Sequence, residues 1–460
     1  HNYMAKGNTQ FSSKLGLLLT TLGSAVGLGC VWRFPAEVQE NGGGAFLLIF
    51  ILCTLVLGIP AMLAEFSVGR AGRGDAIGAM VNLGWKKSGW VIGGCATLAC
   101  ALIMSFYMVV CGWTLEYFVA SITGDMFSGI DVNMPEAQIE GALKAKMDYM
   151  VHSTWLPLGS TILMLVASVG VLFGGVQKGL ERMAKVLMPA LFIILLIFVV
   201  VAAMAPGAAE GYKYFLEPDF SKISVLTVLN ALGQAFFSLS LASAVLVTFG
   251  SYFPKDTNLG RTASTVALLG LFVALMVGMI IFPLLLTFNQ DHSSVEGTTL
   301  IFMTMPELFV YMPMPQLWSI LFFYLLLVAA VTSCVALAES LVAFITQHLN
   351  LSRAKACLLV ILILLPLTSL CSLSQAYGLD LRIGGMLVFD FINNFATNIL
   401  LPLGAVMLCV WFGWFAPKRL LESELTNHYT HKIWYYGLVR FTLRFLAPTL
   451  ILLVFIESFL

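Results

Sequence analysis

Gly23-Ser24-Ala25-Val26-Gly27-Leu28-Gly29-Cys30-Val31-Trp32-Arg33-Phe34-Pro35 is the stretch on which the rest of the chain turns. It lies inside the first strongly apolar segment, which begins near Phe11. Gly23, Gly27 and Gly29 are a poor recipe for a continuous helix, since each glycine costs about 1 kcal/mol relative to alanine in a helix interior. Inside a bilayer, a chain that leaves its helix frees amides and carbonyls that no water can satisfy. Such backbone is tolerated only where protein buries it or where it lines a cavity. The residues therefore predict a helix interrupted at mid-bilayer, with the freed backbone as a binding site. The same glycines also suit a close helix-packing face of the small-xxx-small kind, through Gly23 and Gly27.

Composition sets the class. Hydrophobic residues make up 59% of the 460 and charged residues only 10%, with mean hydropathy +0.93. Soluble domains carry about 25% charged residues, so the chain reads as an all-α integral membrane protein in a lipid bilayer. Net charge is zero, which argues against a nucleic-acid partner. The nine cysteines fall in or at the ends of apolar runs with no CxxC spacing, which predicts free thiols and no metal cluster. The six histidines lie in loops or at the ends of apolar runs. A catalytic triad is not expected, nor is an enzyme.

Apolar runs of membrane-spanning length predict eleven spans, near 12–36, 44–70, 89–120, 157–175, 183–206, 225–252, 262–289, 316–349, 355–373, 382–413 and 434–459. Between the seventh and eighth, residues 298–311 are apolar but broken by Pro306 and Pro313, which predicts a short surface helix pair. With the N-terminus inside, the cytoplasmic loops collect Lys86, Lys87, Lys178, Arg182, Lys255, Arg261, Lys418 and Arg419. The outside keeps little more than Arg33, Lys144, Lys146, Lys213, Lys222 and Arg382. That excess predicts a cytoplasmic N-terminus, and an odd number of spans then puts the C-terminus outside.

The run GSAVGLGCVWRFP, followed by Glu40-Asn41-Gly42-Gly43-Gly44, closely resembles the first-helix signature of the neurotransmitter:sodium symporter family, with its LeuT-like fold. Gly58-Ile59-Pro60 with Glu65 and Gly69-Arg70 continues the match, as do Gly233 through Ser240, Ser251-Tyr252 and Thr332-Ser333, in the family's order. The resemblance implies a bacterial amino-acid transporter of the cell's inner (plasma) membrane. It implies two inverted five-helix repeats, residues 12–206 and 225–413, with helices 1 and 6 broken and residues 434–460 as helix 11. Transporters of this kind are an established instance of discontinuous helices around a midplane site. The sixth span has no glycine cluster, so its break is expected within Ser238-Leu239-Ser240-Leu241-Ala242-Ser243.

A helix restarting at mid-membrane offers free N–H groups and a positive dipole end to a carboxylate, and the amides of Leu28 and Gly29 are the candidates. By resemblance, the hydroxyl of Tyr107 joins them. The substrate ammonium is expected at the carbonyls of Ala25, Phe237 and Ser238 and the Ser240 hydroxyl. Ser24, Ile103, Phe237, Ser243, Ser333 and Leu337 would line the side-chain pocket. Gly27 stands where monoamine-carrying family members have an aspartate, which leaves room for the substrate's own carboxylate and points to amino acids.

The family's second sodium site maps onto Gly23, Val26, Ala329, Thr332 and Ser333, all retained. Its first site does not survive: Cys30 and Gly270 fall where asparagines are needed. Phe50 and Ala274 replace the groups that bind chloride or stand in for it. The resemblance thus implies a sodium-coupled symporter working by alternating access with one sodium ion and no chloride. A proton-coupled or sodium-independent amino-acid transporter of the same fold is the alternative, through Glu65 and Glu339, both expected to hydrogen-bond unwound backbone. For the gates, Arg33 keeps the outer arginine, and its acid falls on Asn393 or Asn394, with Asp390 about one turn away. The inner ion pair falls on Asn8 and Gln347 and is lost. A monomer or weak homodimer is expected.

Overall fold

The computed structural model describes residues 10–27, 29–288, 300–457 and 459–460. Nine helices among these residues are long and apolar enough to cross a membrane, from Gly44–Gly72 to Tyr436–Glu457. A tenth is reached by counting Lys14–Ala25 and Gly29–Glu40 as one span bent by 46°. The remaining expected span, 225–252, is present as two shorter helices, Val225–Ser238 and Val245–Ser251. The fifth expected span begins at Val176 rather than 183, and sequence and structure differ at two further places. Leu300–Val310 is not a surface element: Leu300, Ile301, Phe302, Met305, Leu308 and Phe309 are buried. Phe302 packs its ring against Tyr117 at 4.8 Å and Trp113 at 6.0 Å. The prolines that suggested an exposed element instead start a helix at Pro306, where the missing N–H is harmless. Residues 289–299, which include the start of that expected pair, lie outside the described residues. The tenth span begins at Val388 rather than 382, because Arg382–Ile383 pairs with Met386–Leu387 in a small antiparallel hairpin. Gly384 and Gly385 both take positive φ at its turn, as a two-residue hairpin loop requires.

Burial sorts the helices. Pro315–Leu349 has 72% of its apolar window buried and Lys86–Thr123 has 67%, whereas Tyr436–Glu457 has 28%. The two central helices touch through small polar groups along their length: Ser121 to Ser319 at 2.6 Å, Cys111 to Cys334 at 3.0 Å, and the Cys100 thiol to the Leu337 carbonyl at 3.3 Å. Such residues let helices approach closely in lipid, where apolar burial drives nothing. The peripheral helices expose Ile193, Leu196, Leu362 and Leu438, a surface that water does not tolerate and acyl chains do.

Buried charges tie elements distant in sequence. Arg70 is 3% exposed, and its Nε donates to Glu424 at 2.6 Å while its Nη2 donates to Asn427 at 3.1 Å. Its Nη1 donates to the Thr257 carbonyl. One guanidinium thus joins the end of Gly44–Gly72 to two later segments. Removing one partner of a buried pair leaves the other charge stranded, at a cost of about 3–5 kcal/mol. Arg70→Ala is expected to lower the unfolding temperature of the purified protein in detergent, and adding Glu424→Gln to restore part of the loss. No recovery in the double variant would mean that the pair itself is not the source of the stability.

Candidate functional site

The two interruptions face each other. The first helix stops at Ala25, with Val26 as its C-cap, and the chain becomes helical again at Gly29 with a π-turn. Leu28, one of the expected carboxylate donors, lies outside the described residues. In the second interruption, Ser240, Ala242 and Ala244 take φ of 56°, 59° and 67°. Left-handed conformations in non-glycine residues cost of order 1–3 kcal/mol each and persist only where the surroundings hold them. Three contacts hold these. Glu65 Oε1 accepts the Ala242 N–H at 2.6 Å, Ser240 Oγ donates to the Ser24 carbonyl at 2.7 Å, and Ser243 Oγ donates to the Ser240 carbonyl at 2.7 Å. A fourth link joins the restarted first helix, where Gln234 Nε2 donates to the Gly29 carbonyl at 2.9 Å.

One cavity lies between the interruptions. Its walls include Ser24, Ala25, Gly27, Gly29, Phe237, Ser238, Ser240 and Ser243 from the interrupted segments, with Ile103, Tyr107, Ser333 and Leu337 from the two central helices. Leu241, Val245, Ala336 and Leu401 also line it and were not anticipated. The first three sit one or a few positions from anticipated residues, and only Leu401, on a distant helix, had no signal. At Gly27 an added Cβ would overlap Ser333 Oγ and approach Tyr107 Oη to 2.9 Å. Glycine thus lets the first interruption lie directly against both hydroxyls. Apart from the Tyr107 phenol, no lining side chain is ionisable. The polar groups on offer are amides, carbonyls and hydroxyls, which suits a ligand that brings both of its own charges.

Beside this cavity, Gly23 of the expected sodium site meets Thr332 and Ser333. Ser333 Oγ donates to the Gly23 carbonyl at 3.3 Å, and Thr332 Oγ1 lies 3.1 Å from the Ala329 carbonyl. An added Cβ at Gly23 would stand 3.2 Å from Thr332 Cβ, so the end of the first helix and the eighth apolar helix are in contact there. Val26 closes that end, its N–H bonded to the Leu22 carbonyl. Three carbonyls and two hydroxyls without formal charge fit a monovalent cation bound by oxygen. At the first-site positions, Cys30 Sγ donates to the Ala25 carbonyl at 3.5 Å, and Gly270 has open space beside it. Ser238 Oγ donates to its own helix at Ala235. Phe50 and Ala274 are buried apolar residues.

A larger cavity, about 380 Å³ against about 40 Å³ for the first, shares Phe237, Leu241 and Leu401 with it. Phe237 forms the partition, with the Arg33 guanidinium 5.0 Å from its ring centroid. Arg33 pairs with Glu37 at 3.3 Å, four residues on in its own helix, and that spacing was legible in the sequence. Asn394 lines a neighbouring cavity with Arg33, Glu37 and Phe237, while Asp390 is not among its lining. Asn394 Nδ2 donates weakly to Met386 Sδ, and its Oδ1 accepts from Asn398. The opposite end is packed shut. Phe11 sets its ring within 6.1 Å of Phe249, Tyr252 and Phe253. Glu181 accepts the Ser12 N–H at 2.9 Å and both the Ser12 and Ser13 hydroxyls. Asn8 lies outside the described residues, and Gln347 Oε1 accepts the Asp75 N–H at 2.8 Å. Of the two intramembrane carboxylates, Glu65 does bind interrupted backbone. Glu339 does not: it pairs with Arg353 and accepts the Tyr252 hydroxyl at 2.6 Å.

The description "Sodium:neurotransmitter symporter family" matches residues 8–132 and 144–460 of this chain. Among curated relatives, the uncharacterized sodium-dependent transporter YhdH of Bacillus subtilis is 35% identical over 97% of both chains. An uncharacterized sodium-dependent transporter of Haemophilus influenzae is 34% identical over 98% of both. The sodium-dependent dopamine transporter of Bos taurus is 25% identical over 99% of this chain and 69% of its own. Among solved structures, MhsT in complex with L-phenylalanine superposes with a TM-score of 0.86 at 34% identity, covering 98% of this chain and 100% of that one.

The Glu65 contact is open to a direct check. Glu65→Ala strips the acceptor from the Ala242 amide, whereas Glu65→Gln keeps a carbonyl oxygen at that place. Amide hydrogen exchange across 239–244 is expected to rise by about tenfold in the alanine variant and to change little in the glutamine variant. Equal protection in all three proteins would show that Glu65 does not hold the interruption.

Proposed function

The chain belongs to the sodium:neurotransmitter symporter family, and on that footing we propose that it is a sodium-coupled importer of a neutral amino acid with an apolar side chain. The observation that carries the reading is the cavity between the two interruptions, which presents backbone dipoles and hydroxyls but no fixed charge. An α-carboxylate finds the amide of Gly29 at the restart of the first helix, with Tyr107. An α-ammonium finds the carbonyls of Ala25, Phe237 and Ser238 and the Ser240 hydroxyl. Ile103, Leu337, Phe237 and the newly recognised Val245, Ala336 and Leu401 favour an apolar side chain, with Ser24, Ser243 and Ser333 adding polar contact. The relative solved with L-phenylalanine makes that amino acid the first probe.

The architecture belongs to the same reading. Eleven spans follow if the bent pair and the 225–251 pair each cross once, as helices 1 and 6 broken at mid-membrane. Residues 12–206 and 225–413 are then two inverted repeats, followed by helix 11. The membrane is the plasma membrane, with the N-terminus inside and the C-terminus outside, and the protein acts as a monomer or weak homodimer.

One sodium ion at Gly23, Val26, Ala329, Thr332 and Ser333 drives the step, with the first site and chloride both missing. Moving one charge through about 100 mV supplies roughly 2.3 kcal/mol, and a tenfold gradient adds about 1.4 kcal/mol. Together these sustain an accumulation of several hundred-fold. Arg33 and Phe237 close the outer route, and Asn394 stands where the family's gate acid does, with Asp390 a turn away. The inner route closes on Phe11. Proton coupling is the second reading, since Glu65 Oε2 is buried with no hydrogen-bond partner.

L-phenylalanine binding to the purified chain is expected to saturate with sodium at a Hill coefficient of about 1 and to ignore chloride. Thr332→Val should weaken the sodium response by about tenfold or more. A coefficient of about 2 would restore the first site despite Cys30 and Gly270. Binding that follows pH and ignores sodium would move the coupling to Glu65.

A further inference from the structure

Arg444 sits two turns inside the last apolar helix, Tyr436–Glu457, and among the described residues no carboxylate pairs with it. Its Nε is buried without a hydrogen-bond partner. Its guanidinium carbon lies 3.8 Å from the Trp414 ring centroid and 5.4 Å from that of Phe445. The placement is built. Gly413 lets the two helices close until an added Cβ would come 2.6 Å from Arg444 Cα, and Trp414 Nε1 donates to the Arg444 carbonyl at 3.1 Å. One turn earlier, on the same side of the helix, stands Arg440, four residues after Tyr436 and its hydroxyl. That hydroxyl donates to the Lys418 carbonyl at 3.1 Å. The last helix is the least buried of the long ones, and Trp414, Phe415, Trp434 and Phe441 around the arginines are all exposed.

A cation inside an apolar helix is expensive unless it reaches the interface or a partner. Here it has an aromatic floor, a second cation one turn toward the helix start, and exposed Lys418, Arg419 and Lys432 at that same end. Exposed tryptophans beside lysines and arginines place the cluster at the height of lipid headgroups. Guanidinium forks match the oxygens of a phosphodiester. We propose that the surface formed by the end of Val388–Phe415 and the start of Tyr436–Glu457 binds the headgroup phosphate of an anionic phospholipid. Arg444 and Arg440 clamp the phosphate, and the acyl chains lie along Phe441 and Phe445.

The test uses the full chain, purified and delipidated in mild detergent, with phosphatidylglycerol and phosphatidylcholine of identical acyl chains as probes. Native mass spectrometry reads lipid retention and a melting curve reads the stability gained. The wild type is expected to retain phosphatidylglycerol over phosphatidylcholine by about fivefold or more, and the Arg440→Gln/Arg444→Gln variant to lose that preference. Should the double variant fail to fold, Arg440→Gln alone is expected to reduce the preference by about twofold, because Arg440 is not part of the helix crossing at Gly413. Inorganic phosphate at millimolar concentration is expected to leave the melting curve unchanged. Equal retention of the two lipids, undiminished preference in a folded Arg440→Gln/Arg444→Gln variant, or full stabilisation by inorganic phosphate would each overturn the assignment.

Discussion

The constraint on which the structure depends is that backbone polar groups freed in an apolar medium must find partners within the protein. The second interruption shows how demanding this is. Three residues from Ser240 to Ala244 stand in the left-handed region without being glycine. What holds them is a carboxylate from one helix and a carbonyl from another. Glu65 is buried within Gly44–Gly72 and would be a liability there if it met no donor. Its presence makes sense as the acceptor that a broken helix needs. The first interruption is served in the same way, through Gln234 and Ser240 from the opposite segment. The two breaks are thus tied directly through Ser240 and Ser24, and Glu65 from a third helix holds the second.

That tie explains what could be read from the sequence. The first interruption was legible because glycines write it into the chain, and the apolar runs gave most of the long helices to within a few residues. The second was harder, since serine and alanine take left-handed backbone here only under tertiary constraint that no local pattern reports. The reading of 225–252 as one span with a break near 238–243 rested on family resemblance, and its helices in fact end at Ser238 and resume at Val245. Leu300–Val310 was misjudged for the opposite reason. Its prolines look like loop punctuation, yet its apolar side chains are many enough to pull it into the core against Trp113 and Tyr117. Leu401 was illegible because its place at the cavity comes from packing between helices far apart in sequence.

Closure at the two ends rests on different physics. At the Arg33 end the ion pair is local and half exposed, so it is worth about 1 kcal/mol or less, and the Phe237 ring beneath Arg33 forms the partition. At the Phe11 end three aromatic rings surround a fourth, and Glu181 gathers the first residues of the first helix through three hydrogen bonds. Ring packing of this kind contributes about 0.5–1.5 kcal/mol per pair beyond area burial. A seal assembled from such pairs yields without stranding a charge in hydrocarbon. Gln347 and His348, both bonded to Asp75, stitch the end of Pro315–Leu349 to the segment after Gly72. They occupy the place where resemblance implied an ion pair.

The division between fixed charge and dipole follows from the same reasoning. Glu339 has Arg353 and Tyr252, Arg70 has Glu424 and Asn427, and both clusters sit away from the cavity. The cavity itself is lined by groups that form modest bonds to one another and keep capacity to spare. Ser333 Oγ donates its proton to the Gly23 carbonyl and retains its lone pairs for a cation. A carbonyl that accepts one hydrogen bond likewise keeps a second lone pair. A site of this kind exchanges one set of weak partners for another as the proposed ion and amino acid come and go. A carboxylate in the same position would hold its cation more firmly, and each departure would leave an unpaired charge at membrane depth. Release is as much a part of transport as capture, and Gly27, pressed against Ser333 and Tyr107 with no side chain of its own, keeps that position neutral.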